Sequence, residues 1–317
     1  VGRWWSSPPP SVALEIGPSR VTAVALRRGA GAGSVTALAT EPVPPGAVVP
    51  SLTAENILDR PRVAEAVRRV LHGAGGPRRV ALVVPDSAAK VSVVRFDKVP
   101  ARHDDLEQMV RWQVRKAVPF PIEAAQVGFA PSTDVEGGGR EFVVVVFRRD
   151  VVESYEGLVQ GAGSAPGLVD LASFNLVNLV LAGDQRTGRA AGQDWLLVHL
   201  TPQASTLALV RTGQLVFYRN RLTDGQEGLI DLVHQTAMYY EDRLGGRGFD
   251  RVVLAATAEA LAAEPSDVRQ TLQERLRSRV EAIDPRTAVV LSDRLGVAED
   301  DLVFMAAPLG ILLREAA

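Results

Sequence analysis

The chain has 317 residues, 46% apolar and 23% charged; this is ordinary globular composition, and the length calls for two core-bearing units because single cores stop growing at roughly 250–300 residues. Lys and Arg total 35 against 37 Asp and Glu, so the net charge of −2 leaves no surplus of cations to follow a nucleic-acid backbone. With no cysteine, disulfides, thiolate metal sites and thiol nucleophiles are excluded.

Residues 1–10 form a tail that pairs Trp4 and Trp5 with three prolines and lacks the charged end and apolar run of a leader. No run reaches the roughly 18 apolar residues of a spanning helix, and a cytoplasmic location is expected. Three short β-branched runs follow, Val12 to Ile16, Val21 to Leu26 and Val35 to Ala39, punctuated by Gly17-Pro18-Ser19 and a glycine-rich stretch. They predict a three-strand meander. From Asp59, the residues Val63, Ala66, Val67, Val70 and Leu71 recur at helical spacing, with Gly73 as the expected stop. Strands are predicted over Val80 to Val84 and Val91 to Phe96.

Residues 99–164 break this pattern and predict a small α+β unit inserted into the first lobe, which spans 11–98 and resumes over 165–184. Its helix is expected to be capped by Asp104 with Glu107, and to bury Leu106, Met109, Val110, Val114 and Ala117 before Pro119. Trp112 falls about 140° from the centre of that stripe at roughly 100° per residue, so the helix core does not claim it. A strand over Phe142 to Phe147 and a second capped helix from Asp150 and Glu153 complete the unit. Phe174 to Leu181 is apolar nearly all round and predicts a buried helix. The polar stretch 185–193 is expected to be a linker. Beyond it, residues 194–317 repeat the opening theme: strands over Leu196 to Leu200, Thr206 to Val210 and Leu215 to Tyr218, then a helix carrying Leu229, Leu232, Val233, Thr236, Ala237, Tyr240 and Leu244 that ends at Gly245-Gly246, and finally a closing helix.

Several segments carry a family resemblance. VALEIGPSRVTAVAL over Val12 to Leu26 is similar to an LDIGSSSVKAVEL-like opening, PPGAV over Pro44 to Val48 to a PPGAV-like loop, and ALVVPDS over Ala81 to Ser87 to an ALPGS-like strand end. KAVPFPIE over Lys116 to Glu123 is similar to a YIPFPIEE-like run, VESY over Val152 to Tyr155 follows at a fitting distance, and LVDLASF over Leu168 to Phe174 is similar to a VVDxxxFAL-like segment. In this order they resemble the PilM-type type IV pilus assembly proteins of the actin-like ATPase superfamily. The resemblance reaches the closing LGILLR over Leu309 to Arg314. It implies an α/β, actin-like (ribonuclease H-like) two-lobe fold with a small α+β insertion.

It also implies a nucleotide site between the lobes, built on two hairpin turns and carboxylates that organise metal and water. Here the first turn keeps Gly17 and Ser19, with Arg20 following. Glu15 replaces the family's Asp, and Pro18 removes an amide hydrogen. At the second turn His199-Leu200-Thr201-Pro202 replaces an Asp or Asn followed by Ile and Gly, and Leu254 to Thr257 replaces paired glycines. Glu15, Gly17, Ser19 and Arg20 are therefore the expected remnant of a degenerate site. No cofactor is expected, with ATP and magnesium as the alternative. His72, His103, His199 and His234 lack metal-ligand spacing, and Asp104-Asp105 and Glu299-Asp300-Asp301 read as helix caps.

What the family resemblance implies for function is a cytoplasmic scaffold that holds the N-terminal cytoplasmic segment of a PilN-like membrane protein, among other pilus platform proteins. That segment lies in a groove between the first lobe and the inserted unit, so membrane contact is indirect. Trp112, Val118, Phe120 and Ile122 are the expected contacts, being aromatic and aliphatic anchor types; closure of the inserted unit's core is the competing role for Phe120 and Ile122. The other readings are an actin-like small-molecule kinase and the cytoplasmic domain of a type II secretion platform protein.

Overall fold

A computed structural model describes residues 10–29, 33–135, 138–189, 194–223, 228–264, 267–292 and 295–314; Trp4, Trp5 and Gly137 lie outside them. The opening runs form the expected meander, β1 (Val12–Ile16), β2 (Arg20–Arg27) and β3 (Ser34–Pro42), with Ile16 facing Val21 at the first hairpin. Helix α1 (Arg60–Gly73) starts where the Asp59 carboxylate accepts from the Arg62 amide, and it buries the predicted stripe. It ends on Gly73 as expected, and Gly75 and Gly76, both with positive φ, follow. Gly73 also serves packing: a Cβ there would come within 2.9 Å of the Ala39 Cβ.

Strand β4 (Arg79–Val84) enters parallel to β1, and β8 (Ala165–Leu171) parallel to β4. A late strand, β14 (Val290–Leu291), completes a six-stranded sheet beside β3. Between β4 and β8 the chain builds a three-stranded antiparallel sheet from β5 (Ala89–Phe96), β6 (Ala125–Val135) and β7 (Gly139–Arg148), with β7 central and α2 (His103–Val114) packed on it.

The inserted unit therefore starts with β5, ten residues before the expected 99. It ends with β7, because α3 (Arg149–Gly161) sends Val151, Val152, Tyr155, Leu158 and Val159 into the first lobe's core. Neither helix is capped as expected. Arg102 and Arg148 occupy the capping positions without a side-chain bond, while Asp104, Asp105 and Asp150 sit in the first turns, where their charge suits the helix dipole. Ala117 is exposed rather than in the core.

Helix α4 (Ala172–Thr187) is buried along most of its length and ends at Gly188, whose φ of 68° is the left-handed cap. The expected linker at 185–193 thus begins inside this helix. The second lobe has the repeated meander, β9 (Trp195–Thr201), β10 (Ala204–Arg211) and β11 (Gln214–Leu222), followed by α5 (Leu229–Leu244), β12 (Arg251–Ala256), α6 (Ala258–Ala262), α7 (Val268–Leu276) and β13 (Arg279–Ala282). Its five-stranded sheet runs β11-β10-β9-β12-β13. The closing helix α8 (Leu302–Leu313) starts from a 3-10 turn over Glu299–Asp301, with no capping side-chain bond from Asp301.

Helix α8 does not belong to the second lobe alone. With α4 it fills the space between the sheets, in one core that takes Ala13, Val24, Ala81 and Val83 from the first and Leu197, Ala208, Val253 and Ala255 from the second. The two helix backbones touch, since a Cβ on Gly310 would lie 1.7 Å from the Asn175 carbonyl oxygen. No helix among the described residues is long and apolar enough to cross a membrane.

Candidate functional site

The ends of β1 and β4 and the middle of β9 meet between the lobes, the position at which open α/β sheets hold ligands. At the turn from β1 to β2 the Gly17 amide donates to the Arg20 carbonyl at 2.9 Å. Pro18 has no amide hydrogen, so neither residue offers a donor to an anion. Ser19 lines the adjoining cavity. The Arg20 guanidinium lies 3.7 Å from the Phe304 ring centroid, ion-pairs with Asp301 at 3.5 Å and donates to the Thr40 hydroxyl at 3.3 Å, which ties it to the closing helix.

The second turn is closed by its own side chain: the Thr201 hydroxyl accepts from the Ala204 amide at 3.0 Å and donates to the Ala204 carbonyl at 3.1 Å. At the third position Thr257 caps α6 by accepting from the Ala260 amide, and Ala255 is buried. Two cavities remain in this cleft, of about 50 and 70 Å³. Small-molecule sites span roughly 300–1,000 Å³.

The organising group is Asp86, just past β4. Its Oδ1 accepts from the Ser173 amide at 2.9 Å and the Ser173 hydroxyl at 2.8 Å. Its Oδ2 accepts from the Thr206 hydroxyl at 2.8 Å and lies 3.0 Å from His199 Nδ1, so the imidazole proton belongs on Nδ1. Asn220 Nδ2 donates to Thr206 Oγ1 at 2.8 Å and accepts at Oδ1 from the Ser87 hydroxyl at 3.0 Å. Burial works to raise the Asp86 carboxyl, but the bonds from His199 and Ser173 and the His199 charge outweigh it and hold it below the usual range.

Glu15 has the opposite fate. Burial, reinforced by the Asp86 charge and opposed by His199, pushes its carboxyl up to about 7. Asp170 rises to about 6 by burial, against the Leu171 amide and Arg314. Burial and then the Asp86 charge raise the Tyr218 phenol. The lone pairs of Asp86 are occupied by its four bonds, whereas Glu15, raised to about 7, borders both cavities.

Sequence reasoning treated Asp86 only as part of a strand-end motif and missed it as the hub. The available signals were an acidic residue at the carboxyl end of a buried strand and a threonine, Thr206, inside an apolar one. His199, which lacks metal-ligand spacing, instead hydrogen-bonds Asp86.

The second candidate surface lies on the inserted unit. Leu106, Val110 and Val114 of α2 are buried with Phe142, Val144 and Val146, while Trp112 remains 61% exposed, with the Arg115 guanidinium 4.9 Å from its ring centroid. Phe120 and Ile122 are half-buried and pack against the same core. Val118 is only 7% exposed and belongs to that core, so its side chain is not presented as the contact expected from the sequence.

A solved structure described as a PilM–PilN type IV pilus biogenesis complex matches with a TM-score of 0.77 at 19% identity, covering 96% of each chain. The cytoplasmic domain of EpsL, an inner-membrane component of the type II secretion system of Vibrio cholerae, matches with a TM-score of 0.50 at 11% identity, over 96% of this chain and 95% of the other. A Bacteroides thetaiotaomicron protein with an actin-like ATPase fold and unknown function matches with a TM-score of 0.48 at 8% identity, over 95% and 94%. The fold is actin-like, and since the family model described as type IV pilus assembly protein PilM matches residues 13–243, this chain belongs to that family.

Proposed function

We propose that the protein is a docking scaffold of a type IV pilus assembly platform that captures the cytoplasmic N-terminal segment of a PilN-like membrane protein through its inserted unit, and that it does not turn over ATP. The observation that carries the docking reading is Trp112, a large aromatic left 61% exposed beside a helix stripe that is otherwise packed. Exposed aromatics of this kind anchor short segments. Docking through a partner brings the protein to the inner membrane.

Support for the absence of turnover comes from the cleft. Hydrolysis needs donors aimed at phosphate oxygens and a carboxylate free to organise metal and water. Here the Gly17 amide bonds Arg20, Pro18 has no hydrogen to offer, and Asp86 is occupied by four bonds. The occupied turns weigh against the small-molecule kinase reading, which requires open phosphate donors.

Titration calorimetry with a synthetic N-terminal peptide of the PilN-like partner tests the docking reading. Micromolar binding is expected, with loss of about tenfold or more in Trp112→Ala. Wild-type affinity in both Trp112→Ala and Phe120→Ala overturns the assigned surface. Steady phosphate release from ATP and magnesium that is abolished in Glu15→Ala overturns the pseudo-ATPase reading.

A further inference from the structure

The bonds around Asp86 do more than satisfy a buried carboxylate. Two of its donors, the Ser173 amide and hydroxyl, lie at the start of α4 in the first lobe, and two, His199 and Thr206, lie on β9 and β10 of the second. Beside the core the lobes share, one charged group thus bonds them both, with Asp86 5% exposed. A second bridge pairs Ser87 with Asn220 at 3.0 Å, and a third places the Ser173 hydroxyl 3.1 Å from the Tyr218 hydroxyl. Parting the lobes breaks these bonds together and strands Asp86 without its second-lobe donors, a cost that charge-assisted bonds make large.

Asp86 and His199 also stand where the resemblance places a glycine and an Asp or Asn. Two departures 113 residues apart meet in one hydrogen bond.

Strand β11 carries this junction outward. Tyr218 and Asn220 join the bridges, and three residues before Tyr218 the Leu215 carbonyl accepts from the Ser132 hydroxyl of β6 at 2.6 Å. At roughly 3.4 Å per residue, the seat of the inserted sheet lies about 10 Å along the strand from the bridge. We infer that Asp86 is an interlobe latch, which holds the cleft shut by drawing donors from both lobes and, through β11, fixes the position of the inserted unit that presents Trp112. The coupling to docking rests on the proposed function; the latch does not.

The absence of native cysteine makes a spin-label ruler straightforward. Arg68→Cys on α1 and Glu241→Cys on α5 are exposed positions on opposite lobes. In the wild-type background the label distances form one narrow distribution, because an open form in a two-state protein holds only about 0.1–10%. In Asp86→Ala a longer-distance population rises to about a third or more. Thr206→Val, which deletes one second-lobe donor and leaves Ser173 in place, gives a smaller rise in the same direction and covers the case in which Asp86→Ala does not fold. Narrow wild-type distributions in folded Asp86→Ala, or in Thr206→Val where Asp86→Ala does not fold, overturn the latch. Peptide titration of the same proteins tests the coupling separately: about fivefold weaker binding in the opened variants is expected, and unchanged affinity alongside widened distances overturns the coupling alone. A wild-type protein that binds no peptide overturns the docking reading and leaves the distance result standing.

Discussion

Replacing Glu15 with glutamine changes stability by an amount set by pH. The Glu15 carboxyl has an ordinary value of 4.5 in an unfolded chain and about 7 in the fold, because burial disfavours its charge. The folded protein therefore holds that proton more tightly than the unfolded chain does. The resulting stabilisation is complete below pH 4.5 and is lost as pH rises through 7. Displacement from 4.5 to about 7 corresponds to an upper bound of about 3 kcal/mol, reduced to about 2–3 kcal/mol because Glu15 is half-buried and borders two small cavities. Glutamine keeps the shape and has no charge to bury. With an unfolding entropy of roughly 0.7 kcal/mol per kelvin for a chain of this length, Glu15→Gln melts about 3–5 °C above wild type at pH 8. The two converge to within about 1 °C near pH 5. Calorimetry between pH 5 and 8 reads this directly. Asp170, raised to about 6, lowers both proteins alike over its own window and cancels from the difference. Parallel melting profiles, or a glutamine variant that melts lower at pH 8, refute the reasoning.

Two packing predictions concern the core between the lobes and the core of the first lobe. Gly310→Ala forces a Cβ to within 1.7 Å of the Asn175 carbonyl oxygen, so α8 and α4 must separate; a loss of about 3 kcal/mol or more is expected by denaturant titration, at the upper end of overpacking costs. Tyr155 buries its hydroxyl in the first lobe without a hydrogen-bond partner. Tyr155→Phe removes that unmet group at nearly constant shape and is expected to raise stability by about 1 kcal/mol in the same assay.

Much of the fold was legible because its elements announce themselves locally. The β-branched runs of β1, β2 and β3, the five-residue stripe of α1 and the apolar surround of α4 each follow a periodicity that burial enforces. Boundaries were harder where pattern does not reveal the partner. Strand β5 reads like β4 and follows it closely, yet it pairs with β7 in another sheet. Val118, expected as a partner contact, lies four residues beyond Val114 and packs into the same core although α2 ends before it.

The cleft was legible as a departure from a phosphate site at Glu15, Pro18 and His199. What replaced that site was not, because Asp86 meets Ser173, His199 and Thr206 across 87, 113 and 120 residues. No local spacing encodes such a contact. The expected caps at Asp104 and Asp150 failed for the converse reason: the acids are present, but the helices begin two residues earlier than such caps require, on His103 and Arg149.

Hydrogen exchange of the protein with and without the PilN-like peptide tests the central claim most directly, since it locates binding without presupposing a residue. The docking account predicts slowed exchange across α2 and residues 115–124, around Trp112 and Phe120, with the turns at Gly17 to Arg20 and Thr201 to Ala204 unchanged. Protection confined to those two turns, with α2 unaffected, contradicts it.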